Sequence, residues 1–172
     1  MEFLQSAWTL FINNWEVFLR GAYTALLLAI IGTIIGALIG FFIGIMHTIP
    51  QRTKSFKIVL LKIFNFLLTA YVEIFRGTPM MVQAMVVFYG LVYLGFDIDR
   101  FLAASIVISL NTGAYMAEYV RGGIVSVDKG QFEAAQAIGM NHLQTMLYVV
   151  IPQVGRNILP ATGNQFVMNI KD

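Results

Sequence analysis

Long apolar runs separated by short polar turns set the layout of this chain. Residues 22–46 are 25 consecutive uncharged positions. At 1.5 Å per residue they make about 37 Å of helix, more than a hydrocarbon core of about 30 Å, and predict a first membrane span. Gly32, Gly36, Gly40 and Gly44 recur inside it at every fourth residue. One helix face is thereby stripped of bulk, which predicts a close packing seam with another helix. A basic stretch around Pro50, carrying Arg52, Lys54 and Lys57, follows and reads as a cytoplasmic turn. Residues 56–75 are apolar again, but Lys62, Asn65, Thr69, Glu73 and Arg76 step at intervals of three or four. Such a single polar stripe fits a helix lying in the membrane interface as well as one that spans.

Two further runs, 78–96 and 101–120, hold only one charge, Glu118, and flank a polar turn at 97–100; they predict a second and a third span. Residues 121–153 are more polar, with Gly122, Gly123 and Gly130 as breaks and a short helix expected at about 131–138. After Pro152 and Pro160, positions 157–170 offer only 14 uncharged residues, about 21 Å, too short to cross. Residues 157–172 are therefore expected to form a partial span: either the chain ends inside the membrane or the natural protein is longer. The expected fold class is an all-α polytopic membrane protein, a single domain over 1–172.

Basic residues decide between the two readings of 56–75, because lysine and arginine accumulate on the cytoplasmic side. With 56–75 at the interface, Arg52, Lys54, Lys57, Lys62, Arg76, Arg121, Lys129 and Arg156 share one side and only Arg20 and Arg100 take the other. With 56–75 spanning, the asymmetry is lost. The interfacial arrangement puts the N-terminus outside and the loop 121–153 in the cytoplasm.

Composition agrees with a membrane domain: 58% of the 172 residues are hydrophobic and 12% charged, and the mean hydropathy is +0.76, outside the balance of a water-soluble domain. The surrounding partner is lipid. A formal charge of +2 with dispersed basic residues gives no nucleic-acid footprint. Glu2 stands where a secretory signal would carry positive charge. There is no cysteine, which excludes disulfides and thiolate chemistry. His47 and His142 lack partners at metal-ligand spacing and read as interfacial, so no metal site is expected. No serine sits in a recognisable His and carboxylate pattern, and no catalytic residue is assigned. No G-x-x-x-x-G-K-[ST] motif occurs, so the chain has no usual cradle for nucleotide phosphates.

Polar side chains at membrane depth are costly unless they line a path or find partners. Asn111, Thr112, Tyr115 and Glu118 step along one face of the third span, and Asn164, Gln165 and Asn169 along the last segment. They are candidates for a translocation path, their amides and hydroxyls serving a zwitterionic solute, with interhelical hydrogen bonding as the alternative use. Glu118 with Arg121, and Glu73 with Arg76, have the spacing of ion pairs one turn apart.

Glu133-Ala134-Ala135, three residues, Gly139, nine residues, then Val149-Val150-Ile151-Pro152 resembles the EAA loop of ABC importer permeases, with Val149 and Ile151 in place of the usual Ile and Leu. The stretches 71–79, 110–115, 121–124, 129–131 and 169–172 are similar to the branch that carries polar amino acids such as histidine, glutamine, arginine and cystine. The resemblance implies an ABC type I permease-like helical bundle in a bacterial plasma (inner) membrane, with 133–139 as a coupling helix ended by Gly139. It implies as partners an ABC ATPase subunit that binds ATP and magnesium, an extracytoplasmic amino-acid-binding protein, and a second permease copy or a paralogue. The chain itself would be a transport subunit, not an enzyme. An ion-coupled secondary transporter or channel, and an incomplete fragment that does not transport, remain as alternative readings.

Overall fold

The computed structural model describes residues 1–48 and 56–171. The expected turn at Pro50, Arg52 and Lys54 lies outside the described residues, as does Asp172. The described elements are helices α1 (Glu2–Met46), α2 (Phe56–Gly77), α3 (Met80–Tyr93), α4 (Arg100–Val125), α5 (Lys129–Ala137) and α6 (His142–Thr145), a π-helical turn (Met146–Val150), and α7 (Ile151–Lys171).

The centre of the bundle is the pair α1 and α4, against which α2, α3 and α7 lean. The four glycines of α1 make this pairing close. A Cβ on Gly32 would stand 2.2 Å from Ile108, on Gly36 2.5 Å from Thr112, on Gly40 2.3 Å from Met116, and on Gly44 2.6 Å from Val120. The partners on α4 also step by four, so a bare row on one helix receives a row of side chains from the other. Gly113 opens α4 in turn: a Cβ there would meet the Tyr71 hydroxyl at 2.8 Å and Ile39 at 2.9 Å. Ile43, Val72 and Ala117 close a small core between α1, α2 and α4.

Several element bounds differ from those read off the sequence. The helix containing the first span begins at Glu2, twenty residues early, and bends only at Asn14 (φ −126°, ψ 20°). The run 78–96 is helical only over the 14 residues of α3, about 21 Å, because Pro79 sits in extended backbone before it and Gly95 leaves it at φ +85°. Gly122 and Gly123 do not break the chain. Helix α4 runs through them, since Ile124 and Val120 are both anchored in a buried cluster, and packing outweighs a glycine penalty of about 1 kcal/mol. Gly130 likewise lies inside α5, where the Asp128 carboxylate accepts from its N–H at 2.7 Å. Helix α7 starts at Ile151 and continues through Pro160. The prolines that suggested a late start are accommodated. Pro152 falls in the first turn, where a missing N–H matters least, and the positions Val154, Gln165 and Asn169 are held in the bundle. Among the described residues, two helices, Leu4–Met46 and Arg100–Val125, are long and apolar enough to cross a membrane.

Candidate functional site

The turn between α2 and α3 builds one wall of a cavity. Helix α2 ends in open carbonyls, and two side-chain amides from outside it converge on one of them, Phe75 O. The Gln83 amide donates to Phe75 O (2.9 Å), Thr78 O (3.0 Å) and Thr78 Oγ1 (2.8 Å). The Asn111 amide of α4 donates to the same Phe75 carbonyl and to Gln83 Oε1, both at 3.1 Å. Tyr71 adds a 2.5 Å bond from its hydroxyl to Leu110 O. The turn is thus fixed to α4, and a cavity of about 370 Å³ opens beside it, lined by Thr78, Pro79, Asn111, Tyr115, Gln165 and Met168 among others.

Gln165 is the most informative lining residue. It is 3% exposed, its amide donates to Asn169 Oδ1 at 3.4 Å, and its carbonyl oxygen has no partner among the described residues. A buried acceptor left open at a cavity is costly unless something enters to donate to it. Across the cavity edge the Arg76 guanidinium lies over the Tyr115 ring, 5.6 Å from its centroid, a distance at which a cation and a ring attract.

The structure sorts the candidate path residues into three groups. Asn111, Tyr115 and Gln165 come together on the cavity. Thr112 and Asn169 form a buried cross-link instead: Asn169 Nδ2 donates to Thr33 Oγ1 (2.9 Å) and to Thr112 Oγ1 (3.0 Å), and the Thr112 hydroxyl donates to Asn169 Oδ1 (3.2 Å). Three helices, α1, α4 and α7, are tied by it. Glu118 lies off the cavity lining in an ion cluster, receiving Arg121 Nη2 at 2.8 Å and Arg76 Nη1 at 3.8 Å. Arg76 therefore reaches Glu118, not the neighbouring Glu73, which makes no ion pair among the described residues. Asn164 is exposed and away from the cavity lining. Near the ion cluster, burial holds the His47 imidazole below its ordinary 6.5, with Glu118 drawing it up and Arg121 pressing it down. No group of three or more metal-ligating side chains occurs among the described residues.

Sequence reasoning missed Gln83, Thr33 and Tyr71. Gln83 carried a readable signal, as the one amide in an otherwise apolar helix, four residues after a proline; Tyr71 opens the stretch 71–79, but its partner Leu110 is distant in sequence, and Thr33 carried no signal.

The loop after α4 folds as a second site. Asp128 caps α5, and two bonds close its far end: Gly139 N–H to Gln136 O and Met140 N–H to Ala135 O, both 3.0 Å, with Gly139 at φ +83°. This is the Schellman arrangement, which needs a left-handed residue and so a glycine. The N-terminal cap is Asp128, and Glu133 is the fifth residue of the helix. Glu133, Ala134, Ala137 and Ile138 face outward, while Ala135 is 3% exposed and belongs to the inner face. Inside, Phe132 packs on a buried cluster of Val120, Ile124, Val127, Met146, Val150 and Val154. That cluster connects α5 to α4 and α7, and α7 carries Gln165 to the cavity. Pro152 is exposed at the start of α7.

A family model described as "Binding-protein-dependent transport system inner membrane component" matches residues 57–172. The chain is 32% identical over 164 residues to "Probable glutamine ABC transporter permease protein GlnM" of Bacillus subtilis (strain 168), covering 95% of this chain and 71% of that protein. It is 42% identical over 117 residues to "Arginine transport system permease protein ArtQ" of the same organism, covering 67% and 53%. With "Glutamine transport system permease protein GlnP" of Escherichia coli (strain K12), identity is 40% over 112 residues, covering 64% and 51%. The chain thus spans from 51% to 71% of these relatives' lengths. Among solved structures, an amino acid ABC transporter crystallised with histidines superposes with a TM-score of 0.80 at 38% identity, over 93% of this chain and 70% of that one. The MetNI methionine ABC transporter in an inward-facing form shares the fold, with a TM-score of 0.71 at 21% identity over 89% and 69%.

Proposed function

This chain belongs to the binding-protein-dependent transport system inner membrane components, and from that premise we propose that it is the permease subunit of an ATP-driven importer for a polar amino acid. The observation that carries the reading is the mechanical continuity between the two sites. The outer face of α5 is small and exposed, fit for a cleft on a partner, and its inner face is locked through Val127, Phe132, Met146 and Val150 to α4 and α7. Movement imposed on α5 is carried by packed side chains, which transmit displacement instead of absorbing it, to α4 and α7, two of the helices that line the cavity. In the cavity, Gln165 Oε1 accepts from the ammonium group of the solute, and Tyr115, with the Arg76 guanidinium over its ring, lies on the carboxylate side.

ATP and magnesium bind on a separate ATPase subunit that grips α5. An extracytoplasmic amino-acid-binding protein delivers the solute, and a second permease copy or paralogue completes the path. The membrane is a bacterial inner membrane, the N-terminus is outside, and α2 lies along the inner leaflet with α5 in the cytoplasm. A membrane-impermeant label on cysteines placed at Ser55 and Thr78 reports the topology; both should react from the same side.

The decisive test is ATPase activity in proteoliposomes holding the chain, its ATPase and its binding protein. Gly139→Asp, which forces a side chain into the left-handed position, and Glu133→Ala should abolish stimulation by the loaded binding protein. Gln165→Leu should raise the KM for uptake while leaving assembly intact. Uptake indifferent to ATP and to the α5 substitutions would overturn the importer reading in favour of an ion-coupled transporter or channel.

A further inference from the structure

Helix α1 is 45 residues long, about 68 Å, against a hydrocarbon core of about 30 Å. Residues 25–46, which pack against the bundle, already supply about 33 Å of that length. Every described side chain over residues 4–24 is exposed, including Trp8 (64%), Leu10 (63%), Trp15 (52%) and Phe18 (56%). So much apolar surface does not remain in water.

The exposed segment is partitioned. At about 100° per residue, Gln5, Ser6, Thr9, Asn13, Glu16 and Arg20 fall within an arc of about 100°. Trp8, Phe11, Trp15 and Phe18 fall within about 80° on the opposite side, as a continuous ridge: Trp8 stacks on Phe11 at 6.1 Å and Phe11 meets Phe18 at 5.4 Å. The one polar residue on the apolar side, Asn14, turns its amide back to Leu10 O at 3.0 Å and is the site of the bend.

We propose that residues 4–20 form an interfacial helix that lies along the membrane surface at the end of α1 away from α5, with the Trp8 to Phe18 ridge among the acyl chains and the Gln5 to Arg20 stripe at the headgroups. Its occupant is lipid. The ridge is continuous with the lipid-facing span, tryptophans favour the headgroup boundary, and the bend at Asn14 already turns the first part of the segment off the span axis. Glu16 and Arg20 cancel in charge, so adhesion comes from apolar burial and does not require anionic lipid.

Trp8 and Trp15 are the only two tryptophans of the chain and report on this segment alone. The full chain is reconstituted in phosphatidylcholine vesicles as the Trp8→Phe and Trp15→Phe variants, each with one remaining tryptophan. Lipid brominated high on the acyl chain should quench both tryptophans to a similar degree and more than lipid brominated near the chain end, with no change when anionic lipid or salt is added. Shielding from both lipid bromine and aqueous iodide would show a protein partner on the ridge and overturn the proposal. Quenching by iodide would place the segment in water, and deep quenching of one tryptophan only would stand it upright; each overturns it too. A nitroxide at Ile34→Cys, on the outer surface of the packed half, tests the span separately. If Ile34 reports lipid and the tryptophans do not, only the interfacial helix fails; if Ile34 does not, the membrane-spanning reading of α1 fails with it.

Discussion

The two halves of α1 both carry many large apolar side chains, the second half with far fewer polar residues, and they differ most in where their small residues stand. In residues 25–46 a glycine at every fourth position lets α4 approach until backbone meets backbone, and Ala29 and Ile43 are buried. In residues 4–24 small residues form no such row, and the side chains are exposed on every side of the helix. Hydrophobicity places a segment in or near the membrane; the periodic absence of side chains decides whether it joins the protein.

The sharpest way to break this comparison is Gly40→Leu. A Cβ at Gly40 would stand 2.6 Å from Ala117 N and 2.7 Å from Gly113 O, backbone atoms that cannot move aside. The variant should give no monodisperse protein in detergent gel filtration, whereas Leu10→Gly in the unpacked half should elute as the parent does. Next in size is Asn169→Leu, which strands Thr33 and Thr112; SDS unfolding titration should show a loss of about 1–2 kcal/mol. Gly21→Ala, where a Cβ meets nothing within 4 Å, should go the other way, raising stability by about 0.5–1 kcal/mol in the same titration. The smallest effect concerns His47 at the far end of α1. Its lowered pKa means that the unfolded chain takes up the proton first as the pH falls. The contribution of neutral His47 is complete above about 6.5 and declines below it. Thermal melts between pH 8 and 5 should show this acid-side loss, and His47→Gln should flatten it.

The glycine row, the short helix near 131–138 and its stop at Gly139 could be read from the chain because each rests on spacing or on one residue's conformation. The importer-permease resemblance, legible in 133–152 and its flanks, agrees with the family and relatives matched. Less legible were positions where tertiary packing overrides local preference. Gly122 and Gly123 remain helical because Val120 and Ile124 are anchored on either side, and Pro160 is tolerated because Gln165 and Asn169 hold α7 beyond it. The cavity was half visible: a polar face on α4 can be recognised, but which of its members line space and which bond to Thr33 or Arg121 depends on rotations that periodicity does not fix.

The wide π turn at Met146–Val150 governs angular phase along the strut from loop to cavity. Each four-residue step in an α-helix overshoots a full turn by about 40°, so side chains spaced four and eight apart drift off a common line. A π turn, at about 4.4 residues, undershoots by about 30° over the same step. The two errors cancel across Met146, Val150 and Val154, and all three stay within one buried cluster. Tightening those five residues to an ordinary helix, with none removed, would turn α5 by about 90° relative to Gln165. The width of the turn at Met146–Val150 is therefore a setting of orientation as well as of length.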